Sequence, residues 1–196
     1  MAQPLDIRPL LDPEISALLA ASPVDIGAAL GSLTNESVVE IRAMFGATPP
    51  PPLSDSVERT DYPIPGRDGV TVRVHRPKNV TGSRPCVYWM HGGGLVIGDS
   101  KMDDARFDAW CNKYGIVGVS VDYRLAPEHP YPTPLEDCYA GLAWVIAQAR
   151  ELGIDTNRLG IGGASAGAGL AAGLALLARD RGEYSVAFQL LIYPMI

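Results

Sequence analysis

Ser165 is the residue whose setting most invites chemistry. It sits in Gly163-Ala164-Ser165-Ala166-Gly167, a G-x-S-x-G pentapeptide. A serine hydroxyl is a poor nucleophile unless it is presented sharply and handed a base. A tight strand-to-helix turn does the presenting, and its crowded backbone demands very small residues two positions either side. The helix that follows places its positive N-terminal dipole beneath the reaction centre. The same five residues also suit a plain turn before a closely packed helix. A second segment, His91-Gly92-Gly93-Gly94, follows a short apolar run. Consecutive glycines leave backbone N–H groups free to face a developing negative charge. Gly93 and Gly94, with the N–H of Ala166, form a candidate oxyanion hole. By itself the run is equally a flexible glycine loop. His91 precedes the glycines, so with Gly92 it reads as support for that loop rather than as the general base. The chemistry these groups suggest is acyl transfer through a covalent serine intermediate.

Positioning such groups takes a strand ending at residue 90 and another ending just before Ser165. Cys86–Met90, Ile116–Val121 and Arg158–Gly163 are short continuous apolar runs, as in strands buried on both faces of a parallel sheet. Val57–Tyr62 and Val70–His75 alternate around Gly66-Arg-Asp-Gly69 and predict an antiparallel pair. Ala187–Tyr193 predicts a sixth strand. Helices are expected over Asp104–Tyr114, Leu135–Leu152 and Ala166–Arg179. Alternating strands and helices argue an α/β fold with a mostly parallel sheet flanked by helices. Upstream, Asp12 caps a helix carrying Ile15, Leu18 and Leu19, with Pro13 at its first position. Asn35 is the expected cap of a second helix carrying Val38, Ile41 and Phe45. The prolines Pro49–Pro52 break helix and favour extended backbone. They divide a helical segment, 1–52, from the α/β part, 53–196. Gly167-x-Gly169-x-x-Ala172 matches a loose dinucleotide pattern, but it falls inside a helix instead of in the turn that opens one.

A third segment, Asp122-Tyr-Arg-Leu-Ala-Pro-Glu-His-Pro-Tyr-Pro132, completes a set. HGGG, then DYRLAPEHPYP, then GASAG resembles the hormone-sensitive-lipase-like branch of serine esterases, bacterial family IV. The resemblance runs from about residue 60 to the end. It implies the α/β-hydrolase fold, a cap formed by the N-terminal helices, Ser165 as nucleophile, and Gly93, Gly94 and Ala166 as oxyanion donors. The family often has Asp before the serine, where this chain has Ala164. It also often has a glycine pair where this chain has Gly167-Ala168. Asp122, Arg124, Glu128 and His129 look catalytic by type, but the resemblance gives them a loop-fixing role. It implies a carboxylesterase or lipase-like hydrolase acting on short-to-medium acyl esters, with no metal or organic cofactor. A homodimer is compatible with it, since the family often dimerises through its last strand.

The chain's 196 residues are 47% hydrophobic, enough for one sizeable core. A net charge of −6 with no basic run argues against a nucleic-acid partner. No run reaches the roughly 20 apolar residues of a membrane span. The N-terminus lacks the basic and apolar regions of a signal peptide. Cys86, Cys111 and Cys138 are odd in number and widely spaced, as core thiols of a cytoplasmic protein are. His75, His91 and His129 have no metal-ligand spacing.

In this fold the triad runs serine, acid, histidine along the chain. After Ser165 the sequence offers only Asp180 and Glu183 as acids, and no histidine. Both acids fall at or beyond the end of the helix after the serine. The resemblance implies eight strands where six are expected, with the acid after the seventh and the histidine after the eighth. The sequence therefore predicts the N-terminal portion of a longer esterase, its C-terminal strands missing or carried by a second chain. Two alternatives stay open. One is a non-catalytic small-molecule receptor on the same fold, as in the gibberellin receptors of plants, which resemble this branch. The other is an inactive truncated product.

Overall fold

The computed structural model describes residues 10–21, 34–46 and 51–196. The chain forms two compact units, residues 1–41 and 42–196. Helix α1 spans Pro13–Ala21. The Asp12 carboxylate accepts the N–H of Glu14 at 2.8 Å, the capping the sequence predicts. Its apolar residues Ile15, Leu18 and Leu19 are exposed. Helix α2 spans Val38–Gly46. Its preceding turn is capped by Thr34 rather than the expected Asn35. The N–H of Ser37 donates to Thr34 Oγ1 at 3.2 Å, and the N–H of Thr34 donates back to Ser37 Oγ at 3.0 Å. That reciprocal exchange satisfies two backbone donors, which Asn35, one residue later, does not do. Val38 and Ile41 are buried as expected. The Phe45 side chain and residues 47–50 lie outside the described residues, and with them the start of the proline run.

Six strands form one sheet in the order β1-β2-β4-β3-β5-β6. They are β1 (Val57–Pro63), β2 (Thr71–Pro77), β3 (Arg84–Met90), β4 (Val117–Asp122), β5 (Ile154–Ala164) and β6 (Gln189–Ile192). Strands β1, β2 and β4 pair antiparallel, whereas β4, β3, β5 and β6 pair parallel. Four further helices are α3 (Asp104–Tyr114), α4 (Thr133–Ala147), α5 (Ala149–Leu152) and α6 (Ala166–Arg181). The single helix expected over 135–152 is interrupted at Gln148, whose N–H bonds back to Trp144 O at 2.9 Å.

Alternation along the strands sorts the core into two layers. Cys86, Tyr88 and Met90 face one side with Val119, Val121, Leu142 and Leu174, beneath α4 and α6. Val87 and Trp89 face the other, with Phe107 and Cys111 of α3. Close packing makes particular glycines obligatory. A methyl group on Gly118 would lie 2.0 Å from the Phe107 ring, which is itself held between His75, Trp89 and Trp110. All three cysteines are buried and free. Among the described residues, no helix is long and apolar enough to cross a membrane.

Gly118→Ala is expected to destabilise the fold by about 1–3 kcal/mol through overpacking. Gly173→Ala, in the middle of α6 with only ordinary contact to Leu135 at 3.5 Å, is expected to stabilise it by about 0.5–1 kcal/mol. Urea unfolding of the two variants checks both signs.

Candidate functional site

Ser165 stands alone between the last residue of β5 and the first of α6. Its backbone has φ 53° and ψ −119°, a conformation that a residue with a Cβ rarely adopts. The turn is held on both sides. The N–H of Ser165 donates to Ile192 O at 3.0 Å, and its carbonyl accepts from Ala168, Gly169 and Met195. Small neighbours are a steric necessity here. A methyl on Gly163 would lie 2.3 Å from the backbone of Gly167. One on Gly167 would lie 2.1 Å from Met90 O and 2.4 Å from His91 O. The helix therefore begins in direct contact with the end of β3.

That contact brings the second motif alongside the first. A methyl on Gly92 would lie 3.1 Å from Ala164 O and 3.7 Å from Ser165 Cβ. The chain then winds through three consecutive left-handed residues, Gly93 (φ 117°), Gly94 (62°) and Leu95 (65°). The N–H groups of Val96 and Ile97 both close onto Gly93 O, at 3.1 and 3.0 Å. Among the described residues, the N–H groups of Gly93, Gly94 and Ala166 donate to nothing. Free backbone donors beside a helix N-terminus can stabilise a negative oxygen.

His91 is buried, and its Nδ1–H donates to Gly92 O at 2.7 Å. Its ring stacks on Tyr123 with centroids 4.3 Å apart, and the Tyr123 hydroxyl donates to His91 O at 2.8 Å. Burial lowers its pKa and outweighs the Gly92 carbonyl and the carboxylates of Asp122, Asp103 and Asp99. The imidazole is thus neutral near pH 7. No hydrogen bond links it to Ser165, whose hydroxyl has no partner among the described residues. His75 is bound to Asp104 at 2.7 Å and stacked on Phe107 of α3.

The polar residues of the third motif are occupied in holding loops. Asp122 accepts from the Ser100 N–H and hydroxyl at 2.5 and 2.8 Å, and from Thr71 at 3.1 Å. Arg124 makes a two-pronged pair with the fully buried Asp137 at 2.8 and 2.7 Å. The N–H of His129 donates to Leu125 O at 2.9 Å. Glu128 pairs with Arg42 through two bonds of 2.9 Å. Arg42 also donates to Val96 O and Ala126 O, both at 2.8 Å, while the N–H of Ala126 donates to Leu95 O at 2.9 Å. One guanidinium thus ties the glycine turn to the Pro-rich loop. Sequence reasoning missed Arg42 and Asp137. The available signals were a lone arginine in an apolar helix and an acid at a buried helix position. Of the two acids after Ser165, Asp180 pairs with Arg179 at 2.7 Å. Glu183 accepts the Tyr139 hydroxyl. The loose dinucleotide pattern lies inside α6, as expected.

A family profile described as alpha/beta hydrolase fold matches residues 87–196. The carboxylesterase NlhH of Mycobacterium tuberculosis is 41% identical over 197 residues, covering 99% of this chain and 60% of that protein. An arylesterase of Saccharolobus solfataricus is 31% identical over 194 residues, covering 95% and 60%. Among solved structures, a bacterial heroin esterase superposes with a TM-score of 0.79 at 39% identity, covering 97% of this chain and 60% of the other. Esterase LipW of Mycobacterium marinum gives 0.75 at 36% identity, covering 96% and 59%. The chain spans about 60% of the length of these relatives.

Two outcomes are expected. Ser165→Gly should be about 1 kcal/mol more stable than Ser165→Ala, because glycine removes the backbone strain that alanine keeps. Chemical denaturation of both variants checks this. The Arg42 guanidinium holds the Glu128 carboxyl down at about 2, from an ordinary 4.5. A depressed acid stabilises the fold fully above its unfolded value and loses that contribution as pH falls through the folded one. The difference in urea midpoint between wild type and Glu128→Gln should therefore be steady above about pH 5 and shrink toward zero near pH 2. A difference that stays constant across that window would remove the ion pair from the account.

Proposed function

Since the chain belongs to the alpha/beta hydrolase family, in its hormone-sensitive-lipase-like branch, we propose that it carries the nucleophile and oxyanion half of a carboxylic ester hydrolase. The observation that carries this reading is the strained Ser165 turn packed against a glycine turn whose N–H groups are free. Ser165 Oγ would attack the ester carbonyl carbon and lose its proton to a base. The carbonyl oxygen, now negative, would accept from the N–H groups of Gly93, Gly94 and Ala166. Collapse would expel the alcohol, which takes up the proton, and leave an acyl group on Ser165. Water would then release the acid and restore the serine. His91 and Gly92 would hold the glycine turn in place for this.

The base and its supporting acid are proposed to lie outside these 196 residues, because no described imidazole partners Ser165. Oxyanion stabilisation and binding alone retain roughly 10³–10⁴-fold over water, well below an intact triad. A second polypeptide supplying the remainder would find an apolar edge at β6, where Phe188, Leu190 and Leu191 are exposed. The reading includes a cytoplasmic enzyme for small or medium acyl esters, with residues 1–52 as a cap over the acyl group and no cofactor. Its homologues in name are a carboxylesterase and an arylesterase.

The test is covalent. A p-nitrophenyl phosphonate ester should modify this chain slowly at Ser165 alone, located by peptide mass spectrometry, with no reaction in Ser165→Ala. Modification scattered over other serines would overturn Ser165 as the presented nucleophile. With p-nitrophenyl butyrate, turnover should stay near the Ser165→Ala background. Turnover of 1 s⁻¹ or more, in the ordinary enzymatic range, would show that the base lies within the chain.

A further inference from the structure

A concave site lies at the end of the sheet opposite Ser165. A cleft of about 380 Å³ opens where β3 begins at Arg84, β4 at Val117, and β5 just after Gly153. Strands β3 and β5 run in parallel from this end toward the Ser165 turn. Cleft and turn are thus a strand length apart, roughly 20 Å. The volume falls within the range of small-molecule sites, about 300–1,000 Å³.

Four cationic side chains line the cleft: Arg76, Lys78, Arg84 and Arg150. Arg76 is neutralised by Glu58 at 2.7 Å. Lys78 and Arg150 have neither an ion-pair nor a side-chain hydrogen-bond partner among the described residues. Arg84 donates one Nη2 bond to Thr81 O at 2.8 Å, while its Nε is buried with no partner. Glu151 is the other carboxylate on the wall, exposed and unpaired. Apart from the Arg76–Glu58 pair, the cleft therefore holds three cations against one anion, in a chain whose net charge is −6. Like charges gathered around one concavity repel, and an unpartnered buried donor is costly. An oxyanion seated among them would relieve both.

We propose that this basal cleft binds a small organic anion, its phosphate or carboxylate groups held by Lys78, Arg84 and Arg150. The site is independent of the serine chemistry, so the two readings stand or fall separately. Isothermal titration calorimetry of this chain with inorganic phosphate and with citrate, at ionic strength held constant with chloride, tests it and separates the two anion classes. Saturable one-to-one binding of at least one anion is expected. The Lys78→Ala/Arg150→Ala double variant should raise Kd at least tenfold. Both side chains are exposed and unpaired among the described residues, so its melting temperature without ligand should not fall. The single variants serve if the double variant does not fold. Lys101→Glu changes the net charge by the same two units, but in the Ser100–Asp103 turn at the Ser165 end of the sheet. It should leave Kd within twofold. No saturable binding of either anion, or equal weakening by Lys101→Glu, would overturn the proposal.

Discussion

Between Gly167 and the carbonyl oxygens of Met90 and His91 there is no room for a methyl group. Most of what this molecule can do follows from that backbone-to-backbone approach. It lets α6 start directly against the end of β3. It also forces the chain to turn at Ser165 with a positive φ, because β5 and α6 must join without an intervening loop. The strain of that turn, of order 1–3 kcal/mol, is offset by the Ser165 N–H bond to Ile192 O, the Met195 N–H bond to Ser165 O and the buried β5 strand beneath it. The same approach sets Gly92 beside the Ser165 side chain, so the two glycine-rich segments become one site.

Around this contact the structure uses polar groups as ties. Surface ion pairs are worth little as isolated stabilisers, and their value here is positional. Arg42 reaches two carbonyls and one carboxylate on two different loops. Asp137 is fully buried, and such a charge is tolerated only with well-placed partners. Arg124 supplies a two-pronged pair, with Arg67 at 3.6 Å as a further cation. His91 contributes as a neutral ring clamped by Tyr123 and Gly92, which holds the glycine turn without consuming its N–H groups.

The two ends of the parallel strands each offer hydrogen-bond donors to negative oxygen, but of different kinds. At the carboxyl ends lie free N–H groups, a helix N-terminus and a serine. At the amino ends lie unpaired guanidinium and ammonium groups around a cleft. Strand β6 borders the sheet with apolar residues half uncovered. Among the described residues its backbone pairs with β5 alone.

Local patterns were enough to read the six strands, the main helices and the serine turn, because each depends on periodicity or on the size of adjacent residues. The antiparallel pair around Gly66–Gly69, the helix over Asp104–Tyr114 and the small residues flanking Ser165 are of this kind. Misreadings arose where the decision was made by atoms a few residues further on. Thr34 rather than Asn35 caps the turn before α2, because Ser37 reciprocates its bond. Gln148 splits the helix expected over 135–152. The partners of Glu128 and Arg124 lie many residues away, at Arg42 and Asp137, and no local pattern names them. The cleft between the starts of three strands is likewise invisible along the chain. By itself, then, the sequence determined where small residues allow a tight turn at Ser165 and the strand–turn–helix units that present it. Only the tertiary structure decided which groups stand next to Ser165, which charges are paired and which are left over, because those are distances between segments that folding alone brings together.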